Sequence, residues 1–376
     1  MLITGVNFQN QGAYMMLVAV ADQLRQRGIG RPVIDVRWGT SRQKRAEGLS
    51  TLVSIDEFGP MRSLFMERFP EKVRDRIPVL TYKSIDAVID ASGFAFGDQW
   101  SHARLQARAD RFAFFSARGI PVVIMPQAFG PFGKTAKPAS TVVSSARLLY
   151  ARDAESLKFL KTLPVYSKEK VKLATDFTID LAAREPGSAV DSFVGKVLIV
   201  PNINIYSRGN EVDYLDTVKK LVLSFQESGQ QVCGLVHDTG RDREIFDLLS
   251  DRGCRLPVLE GLDGLQSKWL LGKASAVVSG RFHATVSALS QGVPTVIHGW
   301  SHKYEHLAAD FDASSLLASP YDSQESLRVS AAMMSDSNVS ARLRERKPLL
   351  VRGIEEMWNE IESVIKKEGS TRGRNH

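Results

Sequence analysis

Short apolar runs alternate with amphipathic stretches along most of the chain. Leu2-Ile3 leads into a turn rich in Gly and Asn, then into a helical pattern from about Ala13 to Gln26 that stops at Gly28. Val33-Ile34-Asp35-Val36, Ala87-Val88-Ile89-Asp90 and Val122-Val123-Ile124-Met125 follow, each short, β-branched and bounded by turn residues. That is the pattern of parallel strands buried on both faces, and its βαβα order predicts a doubly wound sheet. After Ala174-Thr175-Asp176 the rhythm pauses at Arg184-Glu185-Pro186-Gly187-Ser188, where a domain linker is expected. A second series then begins, with strands at Val197–Val200, Val232–Val236, Ala276–Val278 and Thr295–Ile297. A last helix is expected from about Ser340 to Lys366, followed by a polar, basic, disordered tail. The fold class is α/β, with two doubly wound, Rossmann-like domains (residues 1–185 and 186–366) facing a cleft, and a tail over 367–376.

Composition narrows the partners. The 376 residues suit two domains, and 49 Lys+Arg against 42 Asp+Glu give a net charge of +7. That moderate excess fits an anionic ligand or an anionic membrane surface and falls short of a nucleic-acid binder. Two cysteines, Cys233 and Cys254, form no disulfide framework and lack the paired spacing of a zinc site, which points to a reducing compartment. No segment reaches the ~18 apolar residues of a transmembrane helix, and the opening Met-Leu-Ile-Thr-Gly-Val has no basic leader, so a cytoplasmic protein is expected. From Met61 to Ile77, Met61, Leu64, Phe65 and Phe69 share one helical face while Arg62, Arg68, Lys72, Arg74 and Arg76 lie elsewhere. Such a helix packs on its own domain or rests peripherally on the inner face of the cytoplasmic membrane.

Three loops concentrate the chemistry, all at the carboxyl ends of expected strands, where open α/β sheets bind ligands. The first is Thr4-Gly5-Val6-Asn7-Phe8-Gln9-Asn10-Gln11-Gly12-Ala13. Its glycines do not fit G-x-G-x-x-G, while Asn7 and Asn10 offer neutral donors and acceptors suited to sugar hydroxyls. The second, Met125 to Thr135, contains Gly133-Lys134-Thr135 after a strand, but Ala128 stands where a P-loop needs glycine and Pro138 is expected to break the following helix. A nucleotide-binding reading is therefore rejected. The third and richest is Ser279-Gly280-Arg281-Phe282-His283-Ala284, running into a helical pattern. A helix N-terminus and an Arg fork suit a carboxylate or phosphate, and His283 beside it suits proton transfer near neutral pH.

Downstream, Lys303 is expected to return to the same pocket as a second cation. His298, His302 and His306 are spaced by four, but the strand before Gly299 takes His298 off the helix that would carry the other two. No metal site is expected.

These residues also carry a resemblance. Leu2 to Ala13, Pro126-Gln127-Ala128-Phe129-Gly130-Pro131-Phe132, Tyr150-Ala151-Arg152-Asp153, Ser279 to Ala284, Ser290-Gln291-Gly292-Val293-Pro294 and Gly299-Trp300-Ser301-His302-Lys303-Tyr304 resemble blocks of the polysaccharide pyruvyltransferases, over roughly Leu2 to Phe311. The pattern departs from the family at Asp90-Ala91-Ser92-Gly93-Phe94, where relatives carry a second glycine. The resemblance implies a two-domain fold like the type B glycosyltransferases and transfer of pyruvate from phosphoenolpyruvate, as co-substrate without a further cofactor, to two hydroxyls of a sugar as a cyclic ketal. The acceptor would be a sugar or oligosaccharide, free or lipid-linked, in surface-polysaccharide synthesis. It implies His283, Arg281 and Lys303 as catalytic residues, with Arg152, Ser279, Gly280 and Phe282 on the donor and Asn7, Asn10, Gly12, Gly93 and Gln127 on the acceptor. Two other readings compete: a nucleotide-sugar-dependent type B glycosyltransferase, which lacks an acidic residue for the ribose here, and a non-catalytic glycan-binding scaffold, which would predict a broken Arg281/His283/Lys303 set.

Overall fold

A computed structural model describes residues 1–52, 79–80, 84–238 and 241–372. The segment Met61–Ile77 therefore lies outside the described residues. The strands, in chain order, are β1 (Leu2–Thr4), β2 (Val33–Asp35), β3 (Ser50–Leu52), β4 (Val79–Leu80), β5 (Val88–Asp90), β6 (Val122–Gln127), β7 (Leu148–Ala151), β8 (Val171–Leu173), β9 (Val197–Val200), β10 (Val232–Leu235), β11 (Val258–Leu259), β12 (Ala276–Ser279), β13 (Thr295–His298) and β14 (Leu317–Ala318). The helices are α1 (Gln11–Gln26), α2 (Ser41–Ala46), α3 (His102–Ser116), α4 (Ala136–Ser145), α5 (Ala154–Lys161), α6 (Ile203–Arg208), α7 (Glu211–Glu227), α8 (Arg243–Asp251), α9 (Gly264–Leu271), α10 (Phe282–Leu289), α11 (His302–Asp310), α12 (Ser323–Ser335) and α13 (Val339–Arg372).

Two parallel sheets form, as the apolar runs predict. One is ordered β4-β3-β2-β1-β5-β6-β7-β8, the other β11-β10-β9-β12-β13-β14. In the first, strand order reverses between β1 and β5; in the second, between β9 and β12. The central strands β9 and β12 of the second sheet are buried at all four positions, as strands covered on both faces must be. The edge strands β4, β8, β11 and β14 have two or three residues each, too few for a periodicity to announce them.

The chain divides into two compact units: unit 1 holds 1–8, 16–174 and 354–376, and unit 2 holds 9–15 and 175–353. The passage between them falls at Ala174/Thr175, ahead of the Pro/Gly-rich segment expected as linker, and the end of α13 returns to unit 1. Ion pairs and hydrogen bonds explain the return: Arg27 reaches Asn359 at 2.7 Å and Glu362 at 3.2 Å, and Tyr150 Oη donates to Glu360 at 2.7 Å. Arg147 pairs with Glu368 at 2.9 Å, and the helix continues to Arg372, so residues 367–372 are helical where a disordered tail is expected.

Unit 1 packs around Leu2, Val88, Val122, Phe96, Phe112 and Phe129, the rings of Phe96 and Phe129 stacking at 5.6 Å. Unit 2 packs around Leu198, Val200, Leu235, Val277, Ala284 and Ala288. Both cysteines are free and buried, and burial pushes both thiols up, away from reactivity. Among the described residues no helix is long and apolar enough to cross a membrane.

The Gly133-Lys134-Thr135 turn is organised by a carboxylate. Asp98 accepts the N–H groups of Gly133 (2.6 Å), Lys134 (3.1 Å) and Thr135 (3.1 Å) and the Thr135 hydroxyl (2.7 Å). An internal anion thus fills the backbone cradle that a P-loop would offer to phosphate. Pro138 does not break the helix: it sits in the first turn of α4, where no intrahelical N–H bond is required. Partial burial disfavours the Asp98 charge, but the Thr135 hydroxyl and the three N–H groups together hold the carboxyl below its usual range.

Asp98→Ala should destabilise the protein by about 1–3 kcal/mol at pH 7, read from urea unfolding, because it uncovers several N–H groups at once. A carboxyl with a depressed folded value contributes its stability above the unfolded value and loses it as pH falls through the folded one. Wild type and variant should therefore converge in acid, below the ordinary carboxyl range.

Candidate active site

The loops after β9 and β12 diverge in unit 2 at the point where strand order reverses, the usual place for a ligand in an open α/β sheet. The turn after β12 is braced from inside. Ser279 Oγ accepts from Arg281 N–H at 3.1 Å and donates to the Arg281 carbonyl at 3.0 Å, and Ser279 has no exposed surface. The Gly280 carbonyl accepts from Asn202 Nδ2 and from the Tyr304 hydroxyl, each at 2.8 Å. A Cβ on Gly280 would stand 2.7 Å from Ile205 Cδ1. Ser279 and Gly280, expected as ligand contacts, instead shape the turn that presents their neighbours.

Arg281 is the best-anchored group of the site. Its Nε donates to Asp242 Oδ2 at 2.8 Å, a terminal nitrogen meets Asp242 Oδ1, and the other terminal nitrogen donates to Asp238 Oδ2 at 2.8 Å. Asp242 is fully buried and also accepts the Ile203 N–H at 3.0 Å. The sequence suggests a guanidinium open to an anion; the structure shows one held by two carboxylates, because a charge buried this far requires countercharge. Burial works against its charge, but Asp242 and then Asp238 outweigh burial and raise its pKa. Three of its five N–H groups are engaged, which leaves two for a ligand.

His283 lies in the first turn of α10, half-buried, and packs against Phe282. Gly12, in the first turn of α1, makes room for it: a Cβ there would fall 2.2 Å from His283 Nδ1. Asn10 accepts the Ala13 N–H at 2.9 Å, capping α1, and donates to Asp238 at 3.2 Å. Asn10 and Gly12, expected on the acceptor side with the N-terminal domain, thus belong to unit 2 beside Asp238 and His283.

His237 escapes the sequence reading. It lies two residues past the end of β10, is 3% exposed, and its Nε2 is buried with no hydrogen-bond partner among the described residues. Burial, then the charges of Arg281 and His283, push its pKa down to about 3, so it stays neutral. A strand-end position was the available signal for His237 and Asp238. Asp242, four residues further, has none beyond its charge.

Lys303, in the first turn of α11, rests its ammonium 5.2 Å from the Phe282 ring, 5.0 Å from Trp300 and 5.5 Å from Tyr304. This places Lys303 near the β12 turn, against Phe282. Arg208, at the end of α6, covers Trp300 at 5.2 Å and adds a further cation that sequence reasoning missed.

The remaining expected residues lie in unit 1. Gly93 adopts a left-handed φ of +70° and is packed on Met16, so it makes a turn. Gln127 is fully buried and donates to Asp90 at 3.2 Å, in a cluster where Asp90 also accepts from Thr4 (2.9 Å) and Ser92 (2.6 Å); it braces strand ends and has no surface for a ligand. Arg152 is 8% exposed at the end of β7, its N–H on the Gln127 carbonyl at 3.0 Å, and Asn7 is partly buried after β1. In unit 2, His298 meets Ser326 Oγ at 3.2 Å and burial pushes its pKa down to about 4, while His302 and His306 face each other on α11. Among the described residues no group of three or more His, Cys, Asp or Glu could hold a metal ion.

The fold is shared with solved enzymes at low identity. A Staphylococcus aureus MnaA–UDP complex aligns with TM-score 0.62 and 13% identity over 97% of this chain and 96% of that one. A Neisseria meningitidis UDP-GlcNAc 2-epimerase bound to UDP-GlcNAc aligns at 0.56 and 12% over 95% and 100%. The trehalose-6-phosphate synthase OtsA aligns at 0.56 and 10% over 97% and 98%. These likenesses establish a two-domain, Rossmann-like fold of the glycosyltransferase type B kind. No curated protein sequence matches the chain. A family model described as polysaccharide pyruvyl transferase matches residues 10–302.

Asp242→Ala strands Arg281 in a buried position and should cost about 3–5 kcal/mol in urea unfolding. Gly12→Ala should displace the His283 ring with only a small loss of stability. An NMR titration of His283 that is unchanged by the Gly12→Ala substitution would contradict that packing.

Proposed function

As the chain belongs to the polysaccharide pyruvyl transferase family, we propose that it transfers pyruvate from phosphoenolpyruvate to two hydroxyls of a sugar, forming a cyclic ketal. The observation that carries this reading is the association of Arg281 and His283 at the start of α10 with Lys303 beside the same Phe282 wall. A carboxylate and a phosphate need cations and a helix N-terminus, and the chemistry needs a proton donor beside them.

In this mechanism Arg281, fixed by Asp242, and Lys303 bind the anionic donor. His283 gives a proton to the methylene carbon, which becomes a methyl group and leaves positive charge at C2. A sugar hydroxyl attacks C2 and its proton returns to His283. The bond from C2 to the phosphate oxygen breaks, inorganic phosphate leaves with the proton of the second hydroxyl, and that hydroxyl closes the ketal. His237, held neutral, does not compete with His283 for the proton. A lipid-linked acceptor would bring the enzyme to the inner face of the cytoplasmic membrane.

Two measurements test this. Phosphoenolpyruvate at a hundred times its dissociation constant should stabilise the protein by ~2.7 kcal/mol in a thermal-shift titration, an effect lost in Arg281→Ala. Stabilisation by a UDP-sugar alone would overturn the reading. With an acceptor in hand, His283→Ala and His283→Gln should lower turnover by roughly 10²–10⁴, and near-normal release of phosphate in either would remove His283 from its role.

A further inference from the structure

Arg281 meets its two carboxylates in unequal ways. Asp242 is fully buried, grips the guanidinium through two nitrogens, and accepts the Ile203 N–H as well. It cannot leave without opening the turn between β9 and α6. Asp238 meets Arg281 through one oxygen, at 2.8 Å, and its side chain keeps 23% of its surface exposed. The same oxygen, Oδ2, accepts from Asn10 Nδ2 at 3.2 Å. One oxygen therefore sits between a guanidinium and a neutral amide, on a side chain partly open to solvent, where an incoming anion's oxygen would be received.

We propose that Asp238 is a placeholder carboxylate: it occupies the anion position between Arg281 and Asn10 until the substrate's carboxylate displaces it. This rests on the proposed anionic donor at the same site and adds what holds the site before the donor arrives. The exchange swaps a carboxylate for a carboxylate, so Arg281 is never left buried with its second countercharge missing. A neutral sugar has no charge with which to displace Asp238, whereas an anion both replaces it and repels it. Asp238 thereby acts as a specificity-determining residue that admits a carboxylate first and leaves Asn10 released from Asp238 for the bound anion.

The experiment is calorimetric titration of the full chain with phosphoenolpyruvate, pyruvate and inorganic phosphate, each on wild type, Asp238→Asn and Asp238→Ala. Removing the competing charge should tighten binding of the carboxylate ligands by roughly fivefold, the scale of one partly exposed ion pair. The gain should vanish when Arg281→Ala is added. Inorganic phosphate, an anion that Asp238 also repels, should tighten as well. Equal or weaker binding of every carboxylate in both Asp238 variants would overturn the placeholder. If pyruvate tightens in the variants while phosphoenolpyruvate binds neither wild type nor variant, the placeholder stands and the donor assignment falls. A circular-dichroism melt of each variant reports whether it is folded, and Asp238→Asn, which keeps the side-chain shape, supplies the reading should Asp238→Ala fail to fold.

Discussion

The arrangement at the second sheet depends on one fully buried carboxylate. Asp242 binds Arg281 through two nitrogens and takes the Ile203 N–H, so it ties the loop that follows β10 to the loops that follow β9 and β12. Three separate βα connections are thus locked at their most divergent point by one side chain. A buried pair of this kind adds little net stability, since desolvation offsets much of the attraction, but it defines geometry sharply. Around it, Ser279 fixes the Arg281 backbone and Asn202 and Tyr304 fix Gly280, so the start of α10 has no freedom to drift.

That rigidity contrasts with the wall of rings and cations beside it. Trp300 donates to the Tyr304 hydroxyl at 3.0 Å, Phe282 packs at 5.5 Å on Tyr304, and Lys303 and Arg208 lie over the indole. Cations over aromatic faces are attracted by the negative face of the ring. Arg281 is positioned by Asp242 and Asp238, and Lys303 lies over ring faces.

Much of this was legible in the chain because buried parallel strands write themselves as apolar runs and loops at strand ends carry the polar residues. Val197–Val200 and Ala276–Ser279 announce the centre of the second sheet, and Ser279 to His283 announce the turn. What stayed hidden is relational. Nothing in Gly12 says that an imidazole from α10 fills the space a methyl would take, and nothing in Asp98 says that it caps a turn far downstream of it. Gly133-Lys134-Thr135 already fails the P-loop pattern at Ala128, but nothing in the sequence says that Asp98 takes its N–H groups. Ser279 and Gln127 look like ligand residues by type, yet burial turns their hydrogen bonds inward. The division into units was obscured for a related reason: hydrogen bonds such as Tyr150 to Glu360 decide where the last helix belongs, and they join residues far apart in sequence.

The membership of residues 9–15 in the second unit has a practical consequence for protein dissection. A contiguous fragment from Thr175 to Gly353 would contain Arg281, His283 and Lys303 but would lack Asn10, the partner of Asp238, and Gly12, the neighbour of His283. Its surface would open a furrow where the first turn of α1 belongs, beside Gly264. Supplying that turn as a separate peptide, or grafting it onto the fragment by circular permutation, would make the unit a split-protein system whose reassembly is read by the recovery of its fold.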